Sequence, residues 1–270
     1  MKIAKKICIV LFLAVVLAFI YVPILLLAVY SFTDATMVGG AISGFSFANY
    51  ATLFEDSELR NMIIGTIILA FGSALLSTIL GTLGAIGAFY CKKTPRHLIN
   101  YANQIPVVNA DVVTGFSVCV LLIVMFGVSK DTYIPLIIGH TVLCSPFVYL
   151  SVMPKLKQMD NNLYEAALDL GATPSQALFK VVIPQLLSGI LSGFMLAVTL
   201  SLDDYFITTY TKPSTFNTIS TYVVNATKGS QTEIKTALWA LSTVIFIIVV
   251  VVVILMNVLS KRKAKEARDI

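Results

Sequence analysis

Apolar residues along this chain come in long unbroken runs separated by short polar stretches, with no sustained alternation of the kind a half-buried strand shows. A helix needs about 20 apolar residues to cross a hydrocarbon core. Six runs reach that length, near 7–30, 62–90, 105–128, 133–153, 182–207 and 237–260. The pattern predicts an all-α membrane protein with six transmembrane helices, a single transmembrane domain over 1–270. Lys2, Lys5 and Lys6 precede the first run as they would in a signal peptide. That run is uncharged from Ile7 to Thr33, however, well beyond the about 7–15 residues of a signal core, and predicts an uncleaved first helix.

The polar stretch at about 156–184, between the fourth and fifth runs, carries its own helical signals. Asn162 with Glu165 three residues on forms a candidate capping box, so a short helix is expected from Leu163. Leu163, Ala166, Ala167 and Leu170 share one face of it, and Gly171 offers the left-handed backbone that ends a helix. Thr173, Pro174 and Gln176 then spell a second capping box with proline in the first turn. A helix of about two turns is marginal in water, so this one is expected to gain its order by packing against a partner.

Composition agrees with the pattern. Apolar residues make up 57% of the chain and charged residues 12%, with a mean hydropathy of +0.89, which excludes an ordinary soluble domain. Charge then sets orientation. With six spans both termini share one side, and fourteen of the nineteen Lys and Arg residues fall there, among them Lys92, Lys93, Arg96, Lys155, Lys157 and Lys180. The positive-inside rule puts both termini and the 156–184 loop in the cytoplasm. The net charge of +5 is thus a topology signal and not a nucleic-acid patch, and the basic tail at 261–268 is expected to sit against anionic lipid.

Charges inside a membrane are costly and mark function. Asp111 in the third run and Asp203 and Asp204 near the end of the fifth are candidates, and every basic residue lies outside the runs. A pathway with buried acids and no buried bases favours cations. Tyr205 and Tyr210 add aromatic faces suited to ammonium groups. Two structural readings stay open beside the functional one. Asp203 and Asp204 could cap the start of a loop or pair with a partner subunit, and Asp111 could bond a backbone or hydroxyl group of a neighbouring helix. Cys8, Cys91, Cys119 and Cys144 lack the spacing of a metal site or disulfide framework, and His97 and His140 are too few for a metal cluster. No phosphate-binding Gly-x-x-x-x-Gly-Lys-Ser/Thr loop is present, so catalytic residues, a metal and a resident cofactor are not expected in this chain. Gly81, Ala85 and Ala88 on one face of the second run predict close helix packing or a helix facing a partner subunit.

Glu165-Ala166-Ala167, three residues, Gly171, nine residues, then Val181-Val182-Ile183-Pro184 resembles the EAA loop of binding-protein-dependent ABC importer permeases. Val181 and Ile183 stand where that pattern has Ile and Leu. Ser201-Leu202-Asp203-Asp204, Thr218 to Tyr222, and Ala110-Asp111 with Gly115 look similar to the spermidine/putrescine branch of the family, the PotC type. The resemblance runs over nearly the whole chain. It implies the type I ABC importer permease fold in a bacterial inner membrane, with Glu165, Ala166, Ala167, Gly171 and Pro184 in a coupling helix between spans four and five. It further implies a second, homologous permease, a dimer of ATP-binding subunits that hold ATP and Mg, and an extracytoplasmic substrate-binding protein. A different small cation or metal as cargo, or an ion-coupled secondary transporter, are the alternatives.

Overall fold

The computed structural model describes residues 2–35, 40, 42, 44–160, 162–228, 236–247 and 250. Among these the regular structure is helical, apart from an isolated bridge between Thr33 and Phe45. The chain separates into two compact units, residues 1–60 with 226–270, and residues 61–225.

In the first unit α1 (Lys2–Ser31) carries a 26-residue apolar stretch, Lys6–Ser31, whose most apolar 18 residues include no buried one, as expected of a helix solvated by lipid. Its end is tied down by polar contacts. Asn49 of α2 (Ala48–Glu55) donates to the carbonyls of Ser31 and Thr33 at 3.2 and 3.1 Å. Tyr30 meets Trp239 edge-on at 5.9 Å, on a last apolar helix, Ala237–Ile247. The remainder of the sixth expected span and the basic tail lie outside the described residues.

The second unit is built on α3 (Ser57–Tyr90, from Asn61 onward), α6 (Ile134–Gln158) and α9 (Ile183–Asp203). Its core holds Ala85, Ala88, Cys144, Val148, Val152, Val182, Leu186 and Ala197, all fully buried. The small-residue face of α3 turns inward: a Cβ on Gly81 would stand 2.7 Å from Val148 and from the Ser145 carbonyl, so only glycine admits α6 at that distance. Ser73, Ser77 and Thr78 are also buried, and each returns its hydroxyl to a carbonyl four residues back at 2.7 Å. Polar side chains in a span are tolerable when satisfied in this way.

The third run differs from its expected bounds of 105–128. Its helix begins at Lys93 and breaks after Val108; α4 (Lys93–Val108) and the following α5 (Asp111–Cys119), continued by one π-helical stretch over Val120–Met125, meet at 106°. Asn109 and Ala110 adopt extended backbone at the break. Hydropathy alone misses α4 because His97, Asn100, Asn103 and Gln104 dilute it. Part of that polarity is absorbed by α6: Tyr149 hydroxyl donates to Asn100, and Asn103 donates to the Pro146 carbonyl at 3.4 Å. Those contacts set α4 beside the middle of α6. The third span is therefore discontinuous, and Asp111 opens its second half.

Candidate functional site

The fifth run, expected to continue to 207, stops at Asp203. Asp204 takes extended backbone and a short helix, α10 (Phe206–Thr211), follows Tyr205. A new helix start leaves N–H groups without partners. Asp204 supplies them: its carboxylate accepts from the N–H of Ile207 at 3.2 Å, the N–H of Thr208 at 2.7 Å and the Thr208 hydroxyl at 2.8 Å. Since that hydroxyl donates to Asp204, its oxygen is left to accept from His140 Nε2, 3.0 Å away on α6. Nε2 also lies 3.6 Å from the Asp204 carboxylate, and the other ring nitrogen lies 2.7 Å from Ser201 Oγ. Ser201 in turn lies 3.1 Å from Ser73 on α3. His140 and Thr208 are fully buried and Ser201 and Asp204 nearly so. Four elements thus meet in one polar knot.

Apolar packing sets the knot in place. Ile207 fills the space beside two glycines, lying 3.0 Å from where a Cβ on Gly115 of α5 would be and 2.7 Å from one on Gly139 of α6. Asp111 begins α5 one turn before Gly115, the residue that Ile207 packs against. The Asp111 side chain is exposed, as is that of Asp203. Tyr205 is half-buried and donates to Asn225 at 3.3 Å, while Tyr210 turns to Phe116 of α5 with ring centres 6.0 Å apart. Asp111, Asp203, Asp204 and Tyr205 therefore gather around two helix breaks, with Tyr210 one to two turns away. They divide by environment: Asp204 points inward and caps a helix, whereas Asp111 and Asp203 face out. Sequence reasoning weighs His140 only as a metal ligand and reads Ser201 only as part of a motif, and it gives neither these nor Thr208 a role in the site. Helical spacing could not have found the group, because the backbone breaks at Asp204 between Ser201 and Thr208.

The loop expected to couple to a partner has a separate construction. α7 (Asn162–Asp169) starts one residue earlier than predicted, and Asp160 Oδ1, in place of the Asn162 side chain, takes the first N–H, that of Asn162, at 3.0 Å. The negative side chain nearest the helix start wins this competition, as the helix dipole favours. Gly171 has φ +86°. Its N–H bonds the Leu168 carbonyl at 2.9 Å and that of Ala172 bonds Ala167 at 3.0 Å, the paired bonds of a Schellman ending. The second capping box is present, with Thr173 and Gln176 bonded reciprocally at 3.0 and 3.3 Å, starting α8 (Pro174–Ala177). None of α7 is buried; Glu165, Ala166 and Leu170 are exposed, Leu170 at 89%. Tyr164 reaches back, its ring 5.3 Å from Tyr90 of α3. Between α8 and α9 the chain makes a π-helical turn, Leu178–Val182, in which the Ile183 N–H bonds the Leu178 carbonyl five residues back. Pro184 has no N–H with which to close an ordinary turn onto Lys180, which favours the wider one.

Comparison with known proteins follows the same lines. The family model described as "binding-protein-dependent transport system inner membrane component" matches residues 82–265. The chain is 28% identical over 251 residues to the spermidine/putrescine transport system permease protein PotC of Haemophilus influenzae, covering 93% of this chain and 95% of that one. It is 30% identical over 237 residues to the putrescine transport system permease protein PotI of Escherichia coli, covering 84% and 81%. Among solved structures, a chain of a bacterial ABC transporter importing the acidic polysaccharide alginate superposes with a TM-score of 0.58 at 16% identity, covering 96% of each chain. An amino acid ABC transporter solved with histidines gives 0.54 at 16% identity, over 80% of this chain and 96% of that one. The all-helical spans are thus those of an ABC importer permease, and the chain belongs to the family of inner-membrane components of binding-protein-dependent transport systems.

Proposed function

We propose that this permease imports polyamines of the spermidine and putrescine class. The observation that carries the cargo class is the pair of exposed acids, Asp111 and Asp203, at two helix breaks inside apolar runs, 105–128 and 182–207, that contain no basic residue. A polyamine presents ammonium groups separated by methylenes, which carboxylates and tyrosine rings recognise together. The named relatives, PotC and PotI, support the same class. The fold by itself does not, since a similar chain serves an acidic polysaccharide.

In this reading the chain lines half of the pathway and a second, homologous permease lines the rest. Both termini and the 156–184 loop face the cytoplasm, where α7 seats in a dimer of ATP-binding subunits that hold ATP and Mg. A loaded binding protein docks on the opposite side, and closure of the ATPase dimer moves α7 and, through the π turn and Pro184, α9. The experiment is ATP hydrolysis by the reconstituted complex with its binding protein in the presence of spermidine, putrescine or an uncharged sugar. Stimulation by a polyamine alone is expected. Stimulation by the sugar, or by none of the three, overturns the cargo assignment.

A further inference from the structure

We propose that His140 is a positioning residue for transport that acts through Asp204: its Nε2 edge holds the break between α9 and α10 in the shape that leaves Asp203 exposed beside the half-buried Tyr205. The cargo in the test rests on the polyamine reading; the geometry does not. α10 has six residues, Phe206–Thr211, too few to persist without outside support. Its support is of two kinds. Ile207 is gripped between Gly115 and Gly139, and Asp204 caps the N–H groups of Ile207 and Thr208. A carboxyl group at this depth is tolerable only if polar groups satisfy it. Among the described residues, the side chain from another element that meets this cap is His140, whose Nε2 lies 3.0 Å from Thr208 Oγ1 and 3.6 Å from the Asp204 carboxylate.

The two edges of the ring are not equivalent. Nδ1 faces Ser201 on α9, a helix already fastened to α6, where a Cβ on Gly193 would lie 3.1 Å from Val148 and one on Gly189 3.0 Å from the Ser151 carbonyl. That contact duplicates an existing attachment. Nε2 reaches the segment beyond the break, where its contact adds to a short apolar grip.

Glutamine places its amide near the position of Nε2 and asparagine near that of Nδ1, which separates the edges. The complete transporter in proteoliposomes would carry H140Q, H140N or H140L. Two quantities are read: spermidine import, and ATP hydrolysis stimulated by the binding protein purified with whatever cargo it retains. H140Q is expected within about threefold of the unsubstituted complex on both, and H140N and H140L about tenfold or more below it. T208V, which keeps the ring and removes its partner on α10, is expected to lose more than S201A. This second pair decides the matter if the His140 variants fail to assemble. H140L at full activity, H140N equal to or above H140Q, or S201A worse than T208V would overturn the proposal. An unsubstituted complex that ignores spermidine sinks the polyamine reading instead, and the ranking in stimulated hydrolysis still decides the role of His140.

Discussion

The knot around Asp204 and the loop around Glu165 are both polar interruptions of an apolar chain, yet they are made in opposite ways. In the knot, residues from α3, α6, α9 and α10, up to 135 positions apart, satisfy one another with their side chains buried. In the loop, the contacts that shape α7 and its corner come from residues two to five positions apart, and no residue of α7 is buried. The first is a finished interior. The second is a preformed corner that leaves Ala166 and Leu170 exposed, the arrangement the proposed coupling role needs. Stability should therefore concentrate in the knot and coupling in the loop, and substitutions can separate the two.

The largest expected effect is in the loop. Gly171→Pro forces φ from +86° to about −65° and removes the N–H that bonds Leu168, so the corner between α7 and α8 is lost. Cargo import should fall to background while the subunit still inserts with its partners. Glu165→Lys should do the same with less local damage, because it reverses a charge in the first turn of an exposed helix. Import and membrane assembly measured together check both, and normal import in both variants would remove the coupling assignment.

The complementary break is at the knot. Asp204→Ala strands the N–H groups of Ile207 and Thr208 and leaves His140 facing a void, a loss of about 2 kcal/mol or more. Asp203 makes its contact to Ser220 through its carbonyl, so Asp203→Asn should change stability by no more than about 0.5 kcal/mol. The reverse order is expected for cargo: Asp203→Asn should weaken import of spermidine relative to a singly charged amine, since it removes an exposed acid without disturbing the fold. Thermal midpoints of the solubilised complex and competition between the two amines test the pair. Equal destabilisation by both substitutions would erase the distinction between inward and outward acids.

How well each region could be foreseen follows from the range of its contacts. The Gly171 corner and the Thr173–Gln176 box were legible because a cap is written within a few adjacent residues. The expected start of α7 misses by one position because the group that takes its first N–H is the Asp160 carboxylate, two residues before Asn162, which the Asn162–Glu165 pattern does not include. The break at Asn109 and Ala110 was hidden because α4 looks too polar for a span until Asn100 and Asn103 are paired with Tyr149 and Pro146 across 43 to 49 positions. His140 was visible only as a lone histidine for the same reason, since its partners lie 61 and 68 positions away. Asp204 stood out as a charge in a membrane, but its direction depends on which side of the break carries Ile207 between two glycines.

Pro184 links the two regions, and its replacement sharpens the comparison at a smaller scale. Pro184→Ala restores an N–H that can close a normal turn onto Lys180 and compete with the π turn over Leu178–Val182. One residue fewer in that turn rotates α7 and α8 by about 100° relative to α9. Stimulated hydrolysis should drop severalfold with the thermal midpoint unchanged or raised. A variant that couples as well as the original would show that the π turn is incidental to transmission.

Lys212 gives the smallest and most local test, because it combines features of both regions. Like the loop, it is held by near neighbours: its ammonium donates to the Phe216 carbonyl at 2.7 Å and to Asn217 at 2.8 Å. Like the knot, it is partly withdrawn from water. Burial first, and the charge of Lys130 second, push it below the ordinary lysine value of 10.5. Between that lowered value and 10.5 the unfolded chain binds more protons than the folded one, so this group's contribution makes the segment more stable as pH rises through the window. Below the lowered value, both forms are protonated and the unfavourable term is fully present. Acylation of the intact complex across a pH series, read by peptide mass spectrometry, should reach half-maximal labelling of Lys212 at lower pH than in the denatured complex. Lys130→Met should return part of the difference, and only part, because desolvation is the larger cause. A labelling midpoint equal in the folded and denatured complex would mean that this turn opens to water, and that local bonds alone do not close a polar segment in this chain.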